Sequence, residues 1–495
     1  MGATILQLLV VTLIGLCLAQ PTPPGLRARM TTKGMDYVSS VAVKILRDKV
    51  RGMHINDASG EADIKVGKVK YSFTGMKLDG FSGLDTKVHP IAGRGLEWTA
   101  NIGNININGD WRYEVRVIFK IKDHGTFTAS VSEVRFKMGV SLDHDPQGHL
   151  TIKSTSCNAY VGGARVRFSG GASWLYNLFS HNVEKTLKKE LTDIICREAR
   201  RAVDKKAEDF LSHIPLSVRL GDHNEMMLDY GLTAAPNFAA DHMETYHKGE
   251  VHWATGGKRS SASRPAPFPD STESTSMLYV WASDYVLRTL ADTAQTHGIL
   301  QQKVNPKDFP LEQRGAFNTT CHVGLCIGGV IPELGKKFPN TTVSLGLASK
   351  ATPNVTITPD GVHLRFQGNI DFSANLPNGV EKHAFSANTS LFLVANASVN
   401  TQTNKVTSQI VHQRVKIGVL ESAIGNISDA GLQFAVSTIL RIFVIPKLNE
   451  LGGKGMPVPN FGPVKLLNPQ LHLLQNAIMV KTDARYVPKD TTLYY

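Results

Sequence analysis

The side chains able to form new covalent bonds are few. Cysteine occurs five times. Cys17 falls in the apolar stretch Ile5 to Leu18, which Ala19 closes and Pro21, Pro23 and Pro24 follow. That is the form of a secretory signal peptide over residues 1–19, with an apolar core too short to span a bilayer comfortably. Cleavage leaves Cys157, Cys196, Cys321 and Cys326, an even set that in a secreted chain suggests two disulfides. Sequence alone allows about three pairings. The spacing favours a local Cys321–Cys326 pair and a long-range Cys157–Cys196 pair. The rival reading of Cys-x4-Cys, half a zinc site, lacks a second thiolate pair nearby. Six Asn-x-Ser/Thr sequons, at Asn318, Asn340, Asn354, Asn388, Asn396 and Asn426, all lie in the C-terminal half and imply several glycosylated surface sites. Glycans are bulky, so that half is not expected to press its whole surface onto a membrane.

Catalytic constellations are missing. The chain holds no Gly-x-Ser-x-Gly elbow, no Walker loop and no His-Glu-x-x-His. His242, His247 and His252 are spaced by five, which neither a helix face nor a strand face collects, so no metal site is expected. The expectation is a protein without catalytic residues or metal. Its charge is informative instead. The net charge is +12; residues 21–200 hold 27 Lys/Arg against 18 Asp/Glu, while residues 201–495 hold 27 against 24. In an extracellular protein a basic N-terminal end points to anionic lipid, lipopolysaccharide or heparin-like chains. Secretion and diffuse charge argue against nucleic acid.

The elements that must position these groups repeat a plan. At 495 residues the chain is too long for one core, and two or three domains are expected. Residues 32–50 carry Met35, Val38, Ala42, Ile45 and Leu46 at helical spacing. Strands then dominate. Tyr113, Val115, Val117, Phe119 and Ile121 alternate with Arg112, Glu114, Arg116, Lys120 and Lys122. Asn108-Gly109-Asp110 and His124-Gly125 read as turns, and the phase slips before Val134, which suggests a bulge. The pattern is that of a strongly twisted antiparallel sheet. A long helix is expected over roughly 174–212, reaching about 55–60 Å, with Leu178 and Leu187 on its apolar stripe. The second half repeats the order: a helix that Ser283 can cap, alternating strands, a long apolar helix over roughly 428–451, and a closing extended segment near Val464. Within that last helix Leu432 to Ile445 is apolar, but Arg441 interrupts it and Pro446 ends it, so it reads as a buried amphipathic helix. A Gly/Ser/Pro-rich segment separates the halves. The expected division is 1–19 signal peptide, 20–252 N-terminal arm, 253–275 linker and 276–495 C-terminal arm.

Several segments resemble the family of the bactericidal/permeability-increasing protein and the lipopolysaccharide-binding protein. They are Lys33-Gly34-Met35-Asp36-Tyr37, Tyr71-Ser72-Phe73, Asn108-Gly109-Asp110-Trp111, Ser173-Trp174-Leu175, Tyr230-Gly231-Leu232, Lys248-Gly249-Glu250, Ser283-Asp284-Tyr285 and Lys336-Lys337-Phe338-Pro339-Asn340. The similarity runs from about residue 25 to residue 482 and lies closest to the bactericidal branch. It implies an α+β fold: an elongated boomerang of two similar arms, each a twisted antiparallel sheet wrapped around a long helix, joined by a central sheet. The family's first-domain disulfide maps onto Cys157 and Cys196. Each arm would hold a phospholipid between helix and sheet, with Leu178, Leu187, Val117 and Phe119 as candidate lining residues. No other cofactor is implied.

In this family lipopolysaccharide recognition is assigned to basic loops at the first arm's tip. One corresponds here to Leu46-Arg47-Asp48-Lys49-Val50-Arg51-Gly52-Met53-His54, the other to Asp110-Trp111-Arg112 with Arg116 further along. Arg47, Lys49, Arg51, Arg112 and Arg116 would hold lipid A phosphates through charge-assisted hydrogen bonds, and Trp111 would enter the lipid interface. Asp48, Asp110 and Glu114 interrupt the basic runs, and His54, His144 and His149 would add charge only in acid. The resemblance thus implies a secreted or granule-stored monomer of innate immunity. It would bind lipopolysaccharide, phospholipid and the bacterial outer membrane, and permeabilise that membrane. The alternative is an extracellular phospholipid carrier without an antibacterial role.

Overall fold

In a computed structural model the chain is described over residues 23–50, 52–64, 67–116, 119–170, 180–220, 225–255, 260–322, 324–457 and 464–487. The expected signal peptide lies outside these residues.

The first arm opens with β1 (Leu26–Thr31) and α1 (Thr32–Val50). Five antiparallel strands follow in sequence order: β2 (Ala58–Ile64), β3 (Gly67–Ile91), β4 (Gly95–Arg116), β5 (Lys120–His144) and β6 (Leu150–Ser169). The alternation read from sequence holds as far as Val115, but the single strand expected to run on to Ile121 ends at Arg116, and Phe119 and Ile121 are exposed. Ile105, Ile107, Trp111, Tyr113 and Val115 point into the core, while Asn106, Asn108, Arg112 and Arg116 face out. The turns expected at Asn108-Gly109-Asp110 and His124-Gly125 are absent. β4 and β5 run straight through both segments, with Asn108 paired to Thr128, Gly109 to Phe127 and Arg112 to His124. The continuous β4–β5 ladder outweighs local turn preference. The phase slip is present, with Glu133 at a φ of 53°, but it is not the expected bulge: Ser132 pairs with Gly163 and Val134 with Val161 in unchanged register, and the register shift on this ladder lies between Gly139 and Val140.

The long helix is described from α2 (Ser180–Arg201) through a π-helical turn (Ala202–Ala207) to α3 (Glu208–Ser212). Leu187 and Leu191 pack into the core of the sheet, and the Cys157–Cys196 disulfide ties β6 to α2.

The second arm repeats this. Its sheet has the order β13 (Gln301–Val304), β14 (Thr342–Ser349), β16 (Gly361–Asn375), β17 (Glu381–Asn400), β18 (Lys405–Ser422) and β19 (Met456–Pro457), with β15 (Asn354–Thr358) paired to β16. Its helix starts at Ser428, whose hydroxyl accepts from the Gly431 N–H, a normal N-cap. It runs over Asp429–Ile439, a π-helical turn at Leu440–Val444, and Ile445–Lys454. A π-helical turn inside the long helix is thus common to both arms. This helix is not the buried one expected. Leu432, Ala435 and Val436 are buried, but Phe434, Ile442 and Leu451 are about half exposed. The sheet covers only one side of it. The Cys321–Cys326 disulfide closes a short loop in this arm.

A six-stranded central sheet joins the halves in the order β20 (Val464–Leu474), β21 (Ala477–Tyr486), β12 (Leu278–Ser283), β1, β10 (His242–His247) and β9 (Asn237–Phe238), and β7 (Ser217–Leu220), β8 (Met226–Asp229) and β11 (Glu250–Trp253) form a three-stranded sheet with β8 in the middle. The β1–β12 ladder crosses between halves. The second opening helix, α4, covers Asp284–Thr296. Ser283 precedes it but does not cap it, because its hydroxyl donates to the Gly25 carbonyl instead.

Candidate functional site

The β4–β5 hairpin gathers the cations that the sequence scatters. Strand alternation sends Tyr71, Trp111, Tyr113 and Phe127 inward, which forces their neighbours outward. Register then aligns Lys68 with Arg116 and Lys120, Lys70 with Glu114 and Lys122, and Ser72 with Arg112 and His124. Between these rows lies an open hollow of about 640 Å³ lined by Lys70, Ser72, Arg112, Glu114, Lys122 and His124, among others. Glu114 is spoken for: Lys120 Nζ lies 2.7 Å from it and Lys122 Nζ 3.8 Å. The hydrogen bond from Lys120 holds its carboxyl below the usual range. Lys70 pairs with Glu61 at 3.0 Å. Arg112 and Arg116 are ion-paired to nothing among the described residues, so their guanidinium forks remain open to an external anion.

Of the residues expected to bind lipopolysaccharide, Arg112 and Arg116 therefore share one surface. Arg47 and Lys49 lie in the last turn of α1, where the helix backbone alone is described, and Arg51 lies outside the described residues. Trp111 does not enter an interface. It is 2 % exposed, stacks on Tyr113 at 5.6 Å between ring centroids, and donates its indole N–H to the Thr126 carbonyl at 2.9 Å. Its parity on β4 matches the core positions Tyr113 and Val115, and that decides its direction. Phe119 departs from expectation in the opposite sense. It is 79 % exposed at the β4–β5 connection and lines no slot between helix and sheet, because the strand ends before it. Ile121 beside it is half exposed. Leu187 sits in the core with Leu191, packed as ordinary interior, while Val117 and Leu178 lie outside the described residues.

Lys68, Lys70, Lys120 and Lys122 were missed as site residues. Lys120 and Lys122 were legible in principle, since they alternate in phase with Arg112 and Arg116 across a hairpin. Lys68 and Lys70 come from β3, and only the sheet brings them close. His144 and His149 do not join the surface: His144 ends β5 at the end opposite Lys120. His54 is exposed and forms a backbone bridge to Lys77. His247 is held in place by hydrogen bonds to Thr245 and Tyr230, and burial lowers its pKa. Among the described residues no three metal-binding side chains gather. Five of the sequon asparagines are exposed, and Asn318 is half-buried.

Two family models match the chain: the LBP / BPI / CETP family N-terminal domain over residues 34–212 and its C-terminal domain over residues 222–486. The bactericidal permeability-increasing protein of Sebastes schlegelii is 25 % identical over 464 residues, covering 94 % of this chain and 95 % of the relative. The protein of the same name from Rattus norvegicus is 26 % identical over 484 residues, with 96 % and 97 % covered. The lipopolysaccharide-binding protein of Bos taurus is 25 % identical over 466 residues, with 94 % of each covered. Among solved structures, the crystal structure of lipopolysaccharide binding protein superposes with a TM-score of 0.61 at 24 % identity, covering 94 % of this chain and all of that one, which supports the two-armed fold. The chain belongs to the LBP / BPI / CETP family, a family of lipid-binding rather than enzymatic proteins.

Proposed function

We propose that this is a secreted innate-immune protein that binds the lipid A of lipopolysaccharide at the β4–β5 hairpin and permeabilises Gram-negative membranes. The observation that carries the reading is the union, on one hairpin, of open guanidinium groups at Arg112 and Arg116 with the exposed Phe119 and Ile121. Phosphates would meet the cations, while the apolar tip would enter the acyl layer. This gives Phe119 the interfacial role first expected of Trp111. Two disulfides and exposed sequons suit the oxidising, glycosylating route of a secreted chain. A phospholipid in each arm and a monomeric state complete the proposal.

The test is binding to lipopolysaccharide against zwitterionic phospholipid vesicles, at low and moderate salt. Arg112→Glu with Arg116→Glu should weaken lipopolysaccharide binding by about tenfold or more, the loss of at least one charge-assisted hydrogen bond, and should flatten its salt dependence. Unchanged affinity would remove the hairpin from the site. A second reading, a phospholipid carrier, draws on the half-exposed apolar side of Asp429–Lys454, with Phe434 and Ile442 on it. Phospholipid transfer between vesicles, undiminished in the same double variant and without bacterial killing, would favour the carrier.

A further inference from the structure

Farther from the hairpin, the same outer face carries a second polar surface. β4 reads Asn104-Ile105-Asn106-Ile107-Asn108, with the isoleucines in the core and the asparagines on the outer side. Asparagine is a poor strand residue, and β4 is the middle strand of five. Three at successive outward positions conflict with local preference where threonine or valine would serve, and such conflicts concentrate at functional sites. The neighbouring strands extend the pattern. Asn108 stands opposite Thr128, and Thr128 opposite Arg167; Asn106 stands opposite Ser130, and Ser130 opposite Arg165. Amide, hydroxyl and guanidinium thus form two parallel rows, their members about 5 Å apart from strand to strand.

On the other side of Asn106 the partner is Gly80, where an added Cβ would meet nothing within 4 Å. The two rows line a hollow of about 370 Å³ formed chiefly by Asn106, Asn108, Thr128, Ser130, Arg165 and Arg167, together with Asp79. Internal bonds orient one side of it: Asn104 Nδ2 donates to Asn106 Oδ1 at 2.8 Å, and Ser130 Oγ donates to Asn104 Oδ1 at 2.7 Å. The Asn106 NH2 group is left pointing away from that bond. Asn108, Thr128, Arg165 and Arg167 have no side-chain hydrogen bond or ion pair among the described residues.

This chemistry selects its ligand. Planar amides and guanidinium groups offer paired donors and acceptors to vicinal hydroxyls. Two arginines with no ion-paired carboxylate match a phosphate, sulfate or carboxylate. An acyl chain would desolvate these groups without return. From Arg112 to Asn106 is six residues along one strand face, about 20 Å. We propose that this face binds the sugar chain of an anionic glycan. The proposal deepens the hairpin reading and rests on it for the source: a glycolipid with its phosphates at Arg112 and Arg116 would run its oligosaccharide along β4.

Titration calorimetry on the full chain would compare four probes: deacylated, phosphorylated core oligosaccharide; a sulfated heparin hexasaccharide; a neutral dextran hexasaccharide; and lipid A in vesicles. The core oligosaccharide should bind. Asn106→Ala with Asn108→Ala should weaken it about tenfold, the value of one or two hydrogen bonds, and Arg165→Gln with Arg167→Gln should do the same. Both variants should bind lipid A vesicles unchanged. A sulfated chain that binds more tightly, and with the same dependence on the asparagines, would move the source to a host glycan and keep the site. Anionic oligosaccharides that respond to the arginines and not to the asparagines would reduce the surface to a charge patch and overturn the proposal. So would a failure of every soluble oligosaccharide to bind while lipid A still does. Loss of lipid A binding in the hairpin variants bears on the hairpin alone.

Discussion

Trp111 and Phe119 are eight positions apart on one hairpin, and the structure reverses the exposure expected of them, burying the tryptophan and leaving the phenylalanine open. Both are large, apolar and followed by a cation, so side-chain chemistry alone does not separate them. Trp111 has core parity and a satisfied indole N–H; Phe119 lies past the end of the strand, where no facing sheet exists. The consequence is measurable. Trp111→Ala should lower stability by about 3–5 kcal/mol, the usual cost of emptying a large aromatic site, seen as a fall in urea midpoint. Phe119→Ser should leave the unfolding free energy within about 0.5 kcal/mol of the parent while weakening insertion into lipopolysaccharide aggregates. A Trp111 variant of full stability with lost binding would restore the original assignment. Arg112 and Arg116 were legible because both charge and parity sit in the sequence. Lys68 and Lys70 were not, because their contribution depends on β3 lying beside β4.

At the scale of elements, each long helix must be held against a curved sheet. In the first arm the Cys157–Cys196 disulfide does this across a sequence separation of 39, whereas Cys321–Cys326 closes a separation of 5. Loop-closure entropy makes the first the stronger constraint, by about 2 kcal/mol at 25 °C. Replacing the first pair with serines should therefore lower the thermal midpoint more than replacing the second. Equal effects would mean that strain or residual structure, rather than chain entropy, sets their value. The second arm lacks a disulfide between helix and sheet and uses side chains along β18: Gln433 donates to the Val415 carbonyl and Asn449 accepts the Ile410 N–H. The misplaced turns belong to this scale too. Asn-Gly-Asp favours a turn in isolation, but Asn108, Gly109 and Asp110 are each paired on β5, and strands this long are stabilised cooperatively.

For the whole molecule, the joint between the arms is a buried charge cluster. Arg29 on β1 reaches Glu244 on β10 at 2.8 Å, and Arg27 lies 4.0 Å over the ring of Trp281 on β12. Arg29 also donates to the Ser271 carbonyl and Arg27 to the Pro269 carbonyl, which pins the Pro/Ser-rich linker onto the sheet. Burial pushes the Glu244 carboxyl up, but hydrogen bonds from Tyr246 and Arg29 and the two guanidinium charges outweigh it, so its pKa is lowered in the fold. A carboxyl depressed by folding contributes stability that is complete above its unfolded value, roughly 4.3, and is lost as pH falls through the folded value. Glu244→Ala leaves the arginines without their carboxylate and should cost about 3 kcal/mol at neutral pH. The deficit relative to the parent chain should shrink below about pH 4, as read from chemical denaturation across pH. A deficit that stays constant would place the cost in packing rather than charge.

Taken alone, the sequence determined what periodicity and covalent chemistry encode: the repeated order of helix, sheet and long helix, the phase slip before Val134, the favoured cysteine pairs and the basic N-terminal end. These are local or one-dimensional properties, carried by spacings of two or 3.6 residues and by residue type. Only the tertiary structure decided which outward residues share a surface. Pairing between strands brings Lys68 of β3 beside Arg116 and Lys120, and Arg165 and Arg167 of β6 into two rows with the asparagines of β4. Register between strands is set by the summed fit of whole faces to the core, and no short window of sequence contains it.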